Sequence, residues 1–173
     1  MRHDRAATLR LALCCLMAGA LAGCLGYRLG SSLPPDIHSV HVPAFVNQTG
    51  EPQIDVETTR ATVQEFQKDG TLRVANEREA DSALVVQLTA FTLEPLRYER
   101  DNARTTNEYR LRITARIVYT KKGATAPMVD KYVVGETTFE PGGDLSSSKV
   151  VALPAAARDL AHQIVKNVVE FWE

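Results

Sequence analysis

Beyond position 24 the sequence has no cysteine; its three lie at 14, 15 and 24. That excludes disulfides, thiol catalysis and cysteine metal sites from everything downstream. Histidine is also scarce. His38, His41 and His162 are the ones beyond the first few residues, and none forms a His-x-Glu or His-Glu-x-x-His spacing. No metal and no cofactor are therefore expected. A Gly-x-Ser-x-Gly elbow and a phosphate loop are missing too. Gly142-Gly143 with Asp144 reads as a loop before a helix cap rather than as an anion nest. Carboxylates are common, but none is paired in an apolar setting to work as an acid and base. The expectation is a protein that is not an enzyme. An excess of positive charge is lacking as well, with 20 Lys and Arg against 21 Asp and Glu. That argues against general nucleic-acid binding, which needs a strongly basic footprint.

Long hydrophobic runs are also missing. The uncharged stretch Leu11 to Leu21 is roughly half of the about 20 residues that a membrane-crossing helix needs. It has the length of a signal-peptide core, and Arg2, Arg5 and Arg10 precede it against a single Asp4. Leu21-Ala22-Gly23-Cys24 then matches a lipobox. Small residues at 22 and 23 let an extended backbone enter a peptidase, and the Cys24 thiol is the nucleophile that receives the lipid. An ordinary secretory signal with a chance cysteine is the alternative. The expected organisation is a signal peptide at 1–23, an acylated tether at 24–35 and a folded domain at 36–173. Cleavage leaves 17 basic residues against 20 acidic ones. Several acyl chains give stable membrane anchoring, because each buried methylene adds about 0.8 kcal/mol. Leu25 stands where enterobacteria place the Asp that retains lipoproteins in the inner membrane, which points to the outer membrane.

The tether is rich in Gly, Ser, Leu and Pro, and Pro34-Pro35 disfavours helix. Ile37 to Phe45 reads as a strand, with Pro43 suited to an edge. Asn47 to Gly50 reads as a turn. From Ile54 to Lys68 the period becomes helical, with Val56, Thr59, Val63 and Phe66 on one face and Asp69-Gly70 as the stop. Thr71 to Val74 is a short strand. Ala83 to Leu93 is a longer one, with Leu84, Val86, Leu88 and Ala90 on one face and a mixed opposite face. Glu94 to Asn107 reads as a polar connection. Tyr109 to Thr120 alternates apolar and polar residues strictly, as a strand with one wet face does. Met128 to Phe139 is another strand. The last element is a helix carrying Leu160, Ile164, Val168 and Phe171 or Trp172, beside Ala157 and Ala161. Pro154 either opens it or kinks a longer helix that starts near Ser148. Hairpin-like joins between the middle strands imply an antiparallel sheet with both helices on one face, an α+β sandwich.

One constellation stands out, and it is basic. Arg97, Arg100 and Arg104 lie on the connection, and Arg110, Arg112 and Arg116 project from the polar face of the next strand. Neighbouring positions on one strand face stand roughly 7 Å apart. Guanidinium groups grip phosphate bidentately, so this row suits an anionic lipid headgroup. It equally suits a solvated face whose stems cover the sheet, with Glu94, Glu99 or Glu108 nearby.

At this point several segments resemble the LptE family of lipopolysaccharide-assembly lipoproteins. They are Cys24-Leu-Gly-Tyr-Arg-Leu-Gly30, Ile37 to Thr49, the helix with Glu57 and Thr59, Ala80 to Leu84, Glu108-Tyr109-Arg110 and the alanine-rich last helix. Leu25 is an extra residue relative to that pattern and affects only the tether. The resemblance implies two helices on a mainly antiparallel four-stranded sheet, a two-layer sandwich. It implies an LptD-type outer-membrane β-barrel as partner, with this chain as its plug and assembly aid, facing the periplasm and the barrel lumen. It also implies lipopolysaccharide binding through basic residues, for which Arg97, Arg100, Arg110 and Arg112 are the candidates. The segment from Val42 to Thr49, with the helix and Asp69 to Val74, also looks like lipoproteins that activate peptidoglycan synthases or serve curli secretion. A regulatory envelope lipoprotein is therefore the rival.

The lipobox reading makes a direct prediction. Cys24→Ser leaves the precursor uncleaved and abolishes incorporation of labelled palmitate, while the folded domain keeps its circular dichroism spectrum.

Overall fold

The computed structural model describes residues 33–99 and 102–170, with side chains for all of these except 97–99 and 102–107. The signal peptide, Cys24 and most of the tether lie outside the described residues, as do Arg100 and Phe171-Trp172. The elements run β1 (Ser39–His41), β2 (Val46–Asn47), α1 (Ile54–Asp69), β3 (Arg73–Val74), β4 (Ser82–Glu99), β5 (Asn102–Lys121), β6 (Val129–Phe139) and α2 (Leu145–Val169). They form an α+β protein with two helices and a mixed six-stranded sheet of order β3-β1-β4-β5-β6, with β2 also on β4.

This corrects the expected four-stranded, mainly antiparallel sheet. Only β4-β5 and β5-β6 are antiparallel. β1 and β2 both lie parallel to β4, and β3 lies parallel to β1. Of the expected Ile37–Phe45 strand only β1 forms; the ladder stops before Pro43, which has no N–H to continue it, and resumes past Phe45 as β2. Between them the Phe45 N–H donates instead to Thr59 Oγ1 of α1 at 3.0 Å. The α1 crossover accounts for the parallel pairing of β3 with β1, since parallel neighbours need a connection of about a dozen residues or more.

The second correction is larger. Glu94 to Asn107 is not a polar connection but the continuation of β4 and β5. Their pairing runs on from Pro95↔Tyr109 to Glu99↔Asn102, through several register shifts. β6 stops at Phe139, opposite Tyr109. The hairpin therefore extends beyond β6 by residues 96–99 of β4 and 102–108 of β5, roughly 13–23 Å of strand. The sequence of this stretch is mostly polar, so the hydrophobic alternation that marks β5 inside the sheet fades along it.

β5 is the middle of the antiparallel half. Leu111, Ile113, Ala115, Ile117 and Tyr119 are fully buried under the helices. Leu84, Val86 and Leu88 of β4 join them. A β-bulge between Leu88 and Ala90 then shifts the register, so that Phe91 and Leu93 pair with Ile113 and Leu111 and pack on the core. The bulge explains why the second face of β4 reads as mixed: Val85 is exposed before it, while Phe91 and Leu93, of the same parity, turn inward after it. Tyr119 buries its hydroxyl without a hydrogen bond. Burial holds that phenol above its usual pKa. Nearby Ser82, whose hydroxyl donates to the Ser39 carbonyl at 2.7 Å, offsets part of this.

The buried face of α1 is only partly the expected one: Phe66 is buried as expected, and Thr59 and Val63 are half-buried. Ile54, Thr58, Ala61, Thr62 and Phe66 face inward, whereas Val56 is 62% exposed. Thr58 and Thr62 donate their hydroxyl protons to the carbonyls four residues back, at 2.7 and 2.8 Å. With that bond made, a threonine presents mainly its methyl group and buries cheaply. Gly70, at φ 77°, closes the helix by donating to the Phe66 carbonyl.

α2 starts at Leu145, before either expected start, because Asp144 caps it. The Asp144 carboxylate accepts from the Ser147 N–H at 2.9 Å. Pro154 stands inside the helix. Leu160, Ile164 and Val168 are buried as expected, and Ala157 and Ala161 meet Ala61 of α1 where the helices approach. α2 seats directly on β6. Gly135 lies against the Leu160 backbone so closely that a Cβ has no room. Beside it, the Glu136 N–H donates to Asp159 Oδ2 at 2.9 Å.

Gly135→Val therefore forces α2 off the sheet. The expected loss is about 1–3 kcal/mol or more, read from urea unfolding, whereas Gly142→Ala, with open space around it, leaves the midpoint close to the wild type.

Candidate functional site

With both helices on one side, the other side of β4-β5-β6 is left uncovered. The register lines its residues up in cross-strand rows. Arg112 stands between Thr92 and Glu136, Arg116 between Gln87 and Tyr132, and Arg110 between Glu94 and Thr138. Tyr132, 64% exposed, and the partly exposed Val85 and Val134 supply apolar ground among the charges.

Each of these arginines meets a carboxylate. Arg116 binds Asp130 bidentately, Nε to Oδ1 at 2.8 Å and Nη2 to Oδ2 at 2.7 Å. Arg112 donates Nε and Nη2 to Glu136 Oε2, both at 3.2 Å, and Nη1 to Glu94 Oε1 at 3.3 Å. Arg110 Nε lies 3.9 Å from the same Glu136 oxygen, too far for a hydrogen bond, and is buried without a partner. The face is thus an alternating lattice of both signs. The hydrogen bonds from Arg116, then its charge, hold Asp130 below the usual carboxylate range, and Asp130 raises Arg116 in return.

The structure brings Arg110 and Arg112 together on this face, with Arg116 farther along it. Arg97 falls on the protruding hairpin, its backbone opposite Glu108. Of the expected neighbours, Glu94 does meet Arg112. Asp130 and Glu136 were missed. Their signal was present in Met128 to Phe139, where Asp130, Tyr132, Val134 and Glu136 share one parity. Folded back antiparallel, that parity sets two carboxylates against the arginine row.

Among the described residues the histidines and Asp81 are held in separate local contacts. His41 Nδ1 lies 3.3 Å from the Ala75 carbonyl, and His162 Nδ1 lies 3.2 Å from Glu65. Asp81 accepts from the His38 N–H and the Ser39 hydroxyl, which stitches β1 to the start of β4. Among the described residues no three His, Cys, Asp or Glu side chains stand where they can hold a metal. No helix among them is long and apolar enough to cross a membrane.

The family model for lipopolysaccharide assembly, LptE, matches residues 37–168. The chain belongs to the LptE family. That family is one of non-enzymatic lipoproteins of lipopolysaccharide assembly. No curated protein matches this LptE-family chain in sequence. Solved structures share its fold at low identity. A hypothetical protein from Chlamydia trachomatis is 8% identical, with a TM-score of 0.55 over 76% of this chain and 95% of that one. A protein from Xanthomonas campestris is 10% identical, with a TM-score of 0.53 over 83% and 88%. The uncharacterized lipoprotein B from Nitrosomonas europaea is 13% identical, with a TM-score of 0.50 over 84% and 90%. At such identities the likeness concerns the fold alone.

The Arg116–Asp130 pair predicts a pH signature. A depressed carboxylate pKa adds stability above the ordinary carboxylate range and loses it as pH falls through the folded value. Arg116→Met is therefore slightly less stable than the wild type at neutral pH. The gap closes in acid, once Asp130 is protonated in the wild type too. Urea midpoints measured across the pH range check this.

Proposed function

We propose that this LptE-family chain is an outer-membrane lipoprotein, trimmed of residues 1–23, acylated at Cys24 and tethered by residues 24–35. It faces the periplasm and the lumen of an LptD-type β-barrel. There it acts as a plug, assists the barrel's assembly and helps deliver lipopolysaccharide to the outer leaflet. The observation that carries this reading is the family match, which spans nearly the whole folded domain from 37 to 168.

The geometry supports the reading in two ways. The lumen of a large outer-membrane barrel is polar and hydrated. A sheet face whose charges are paired among themselves lies against such a wall without stranding an ion in apolar surroundings. The same face carries Arg110 and Arg112 as lipopolysaccharide contacts. Arg97, whose backbone lies in the outer part of β4, and Arg100, outside the described residues, are the further candidates for such contacts. Asp36, near the first described residues, pairs with Lys121 at the end of β5 away from the hairpin tip.

Affinity isolation of the acylated protein from solubilised outer membranes tests the reading. Co-recovery of a large LptD-type β-barrel is expected. Recovery of a peptidoglycan synthase in its place contradicts it.

A further inference from the structure

Glu136 is shared between two arginines and serves them unequally. Its Oε2 accepts two hydrogen bonds from Arg112. The same oxygen lies 3.9 Å from Arg110 Nε, a buried donor left without a hydrogen bond. A guanidinium carries five donors in a rigid fork, and one carboxylate oxygen cannot saturate two such forks. Arg110 Nε is thus left without a hydrogen bond beside a carboxylate that Arg112 holds.

Two further features bear on how Glu136 behaves. Its backbone is fixed, because its N–H is held by Asp159 and the adjacent Gly135 is pressed against α2. Its side chain is not fixed in the same way, being about 45% exposed. The carboxylate can turn into solvent without moving the strand. Solvent-exposed ion pairs of this kind are weak, because water and salt compete for both partners. A phosphate monoester carries more charge and three strong acceptor oxygens, which match paired guanidinium forks better than one carboxylate oxygen does.

We propose that Glu136 is an internal competitor for phosphate at Arg110 and Arg112: its carboxylate occupies the place that a phosphate group of the ligand takes, and turns outward when that group binds. This rests on the reading above for the location of the site, and adds what sets its affinity. It assigns a specificity role to an acidic residue within a basic row. Ligands without phosphate do not displace the carboxylate, so the face stays closed to neutral glycolipids.

The test uses the full acylated protein in detergent, as wild type, Glu136→Gln, Glu136→Ala and Arg112→Ala. Purified lipopolysaccharide is the main probe, dephosphorylated lipopolysaccharide the control, and inorganic pyrophosphate the probe for free phosphate. Both Glu136 variants are expected to bind lipopolysaccharide about three- to tenfold tighter than the wild type. The gain disappears with the dephosphorylated form, and Arg112→Ala binds more weakly. A gain with pyrophosphate but none with lipopolysaccharide assigns the site to free phosphate rather than to a lipid headgroup. Unchanged or weaker binding of both probes by the Glu136 variants, with Arg112→Ala still impaired, overturns the competitor role and leaves the binding face standing. No effect from any of the variants overturns both.

Discussion

Leu111, Ile113, Ala115, Ile117 and Tyr119 all point to one side of β5, and the rest of the sandwich is arranged around burying them. Each large aliphatic side chain among them contributes about 1.5–3 kcal/mol when removed from water. Because successive residues of a strand face opposite ways, the same stretch must turn Arg110, Arg112, Thr114 and Arg116 to the other side. β5 has β4 on one edge and β6 on the other, so neither face can roll away. One alternation thus dictates both the core and the polar face. α2 takes the apolar side, and Gly135 lets it come close enough to seal it.

That seal has a consequence for the charged side. Gly135 and Glu136 are neighbours on β6, facing opposite ways. The contact that seats α2 on Gly135 and the bond from Asp159 to the Glu136 N–H fix the same piece of backbone. The carboxylate over Arg110 and Arg112 is thereby placed from behind by the core. Packing on one side of the sheet thus positions charge on the other. This suits a binding face, since weak, solvent-exposed pairs cost little to exchange.

Much of this was legible in the residues. The strict alternation of Tyr109 to Thr120 marks β5 and its two faces without help, and the apolar spacing of Leu160, Ile164 and Val168 marks α2. Three features were hidden, each for a physical reason. Thr58 and Thr62 count as polar in a periodicity, yet they bury because their hydroxyls bond within their own helix. The bulge after Leu88 reverses the parity of β4, so Phe91 and Leu93 look misplaced until the register shift is known. The outer hairpin is mostly polar in sequence, so Glu94 to Asn107 reads as a loop. At the site, Arg110 and Arg112 were visible as a row. Their pairing with Glu136 was not, because it joins residues 24 and more apart through a register that only the fold supplies.

The central claim is that the uncovered sheet face, rather than the helical layer, meets lipopolysaccharide. The most direct measurement places a photo-crosslinking residue at Tyr132 on that face, and separately at Val56 on α1, in living cells. Both positions are similarly exposed in the free protein, at 64% and 62%. Lipopolysaccharide adducts from position 132 and few or none from position 56 are the predicted result. Adducts from position 56 with none from position 132 would contradict the account.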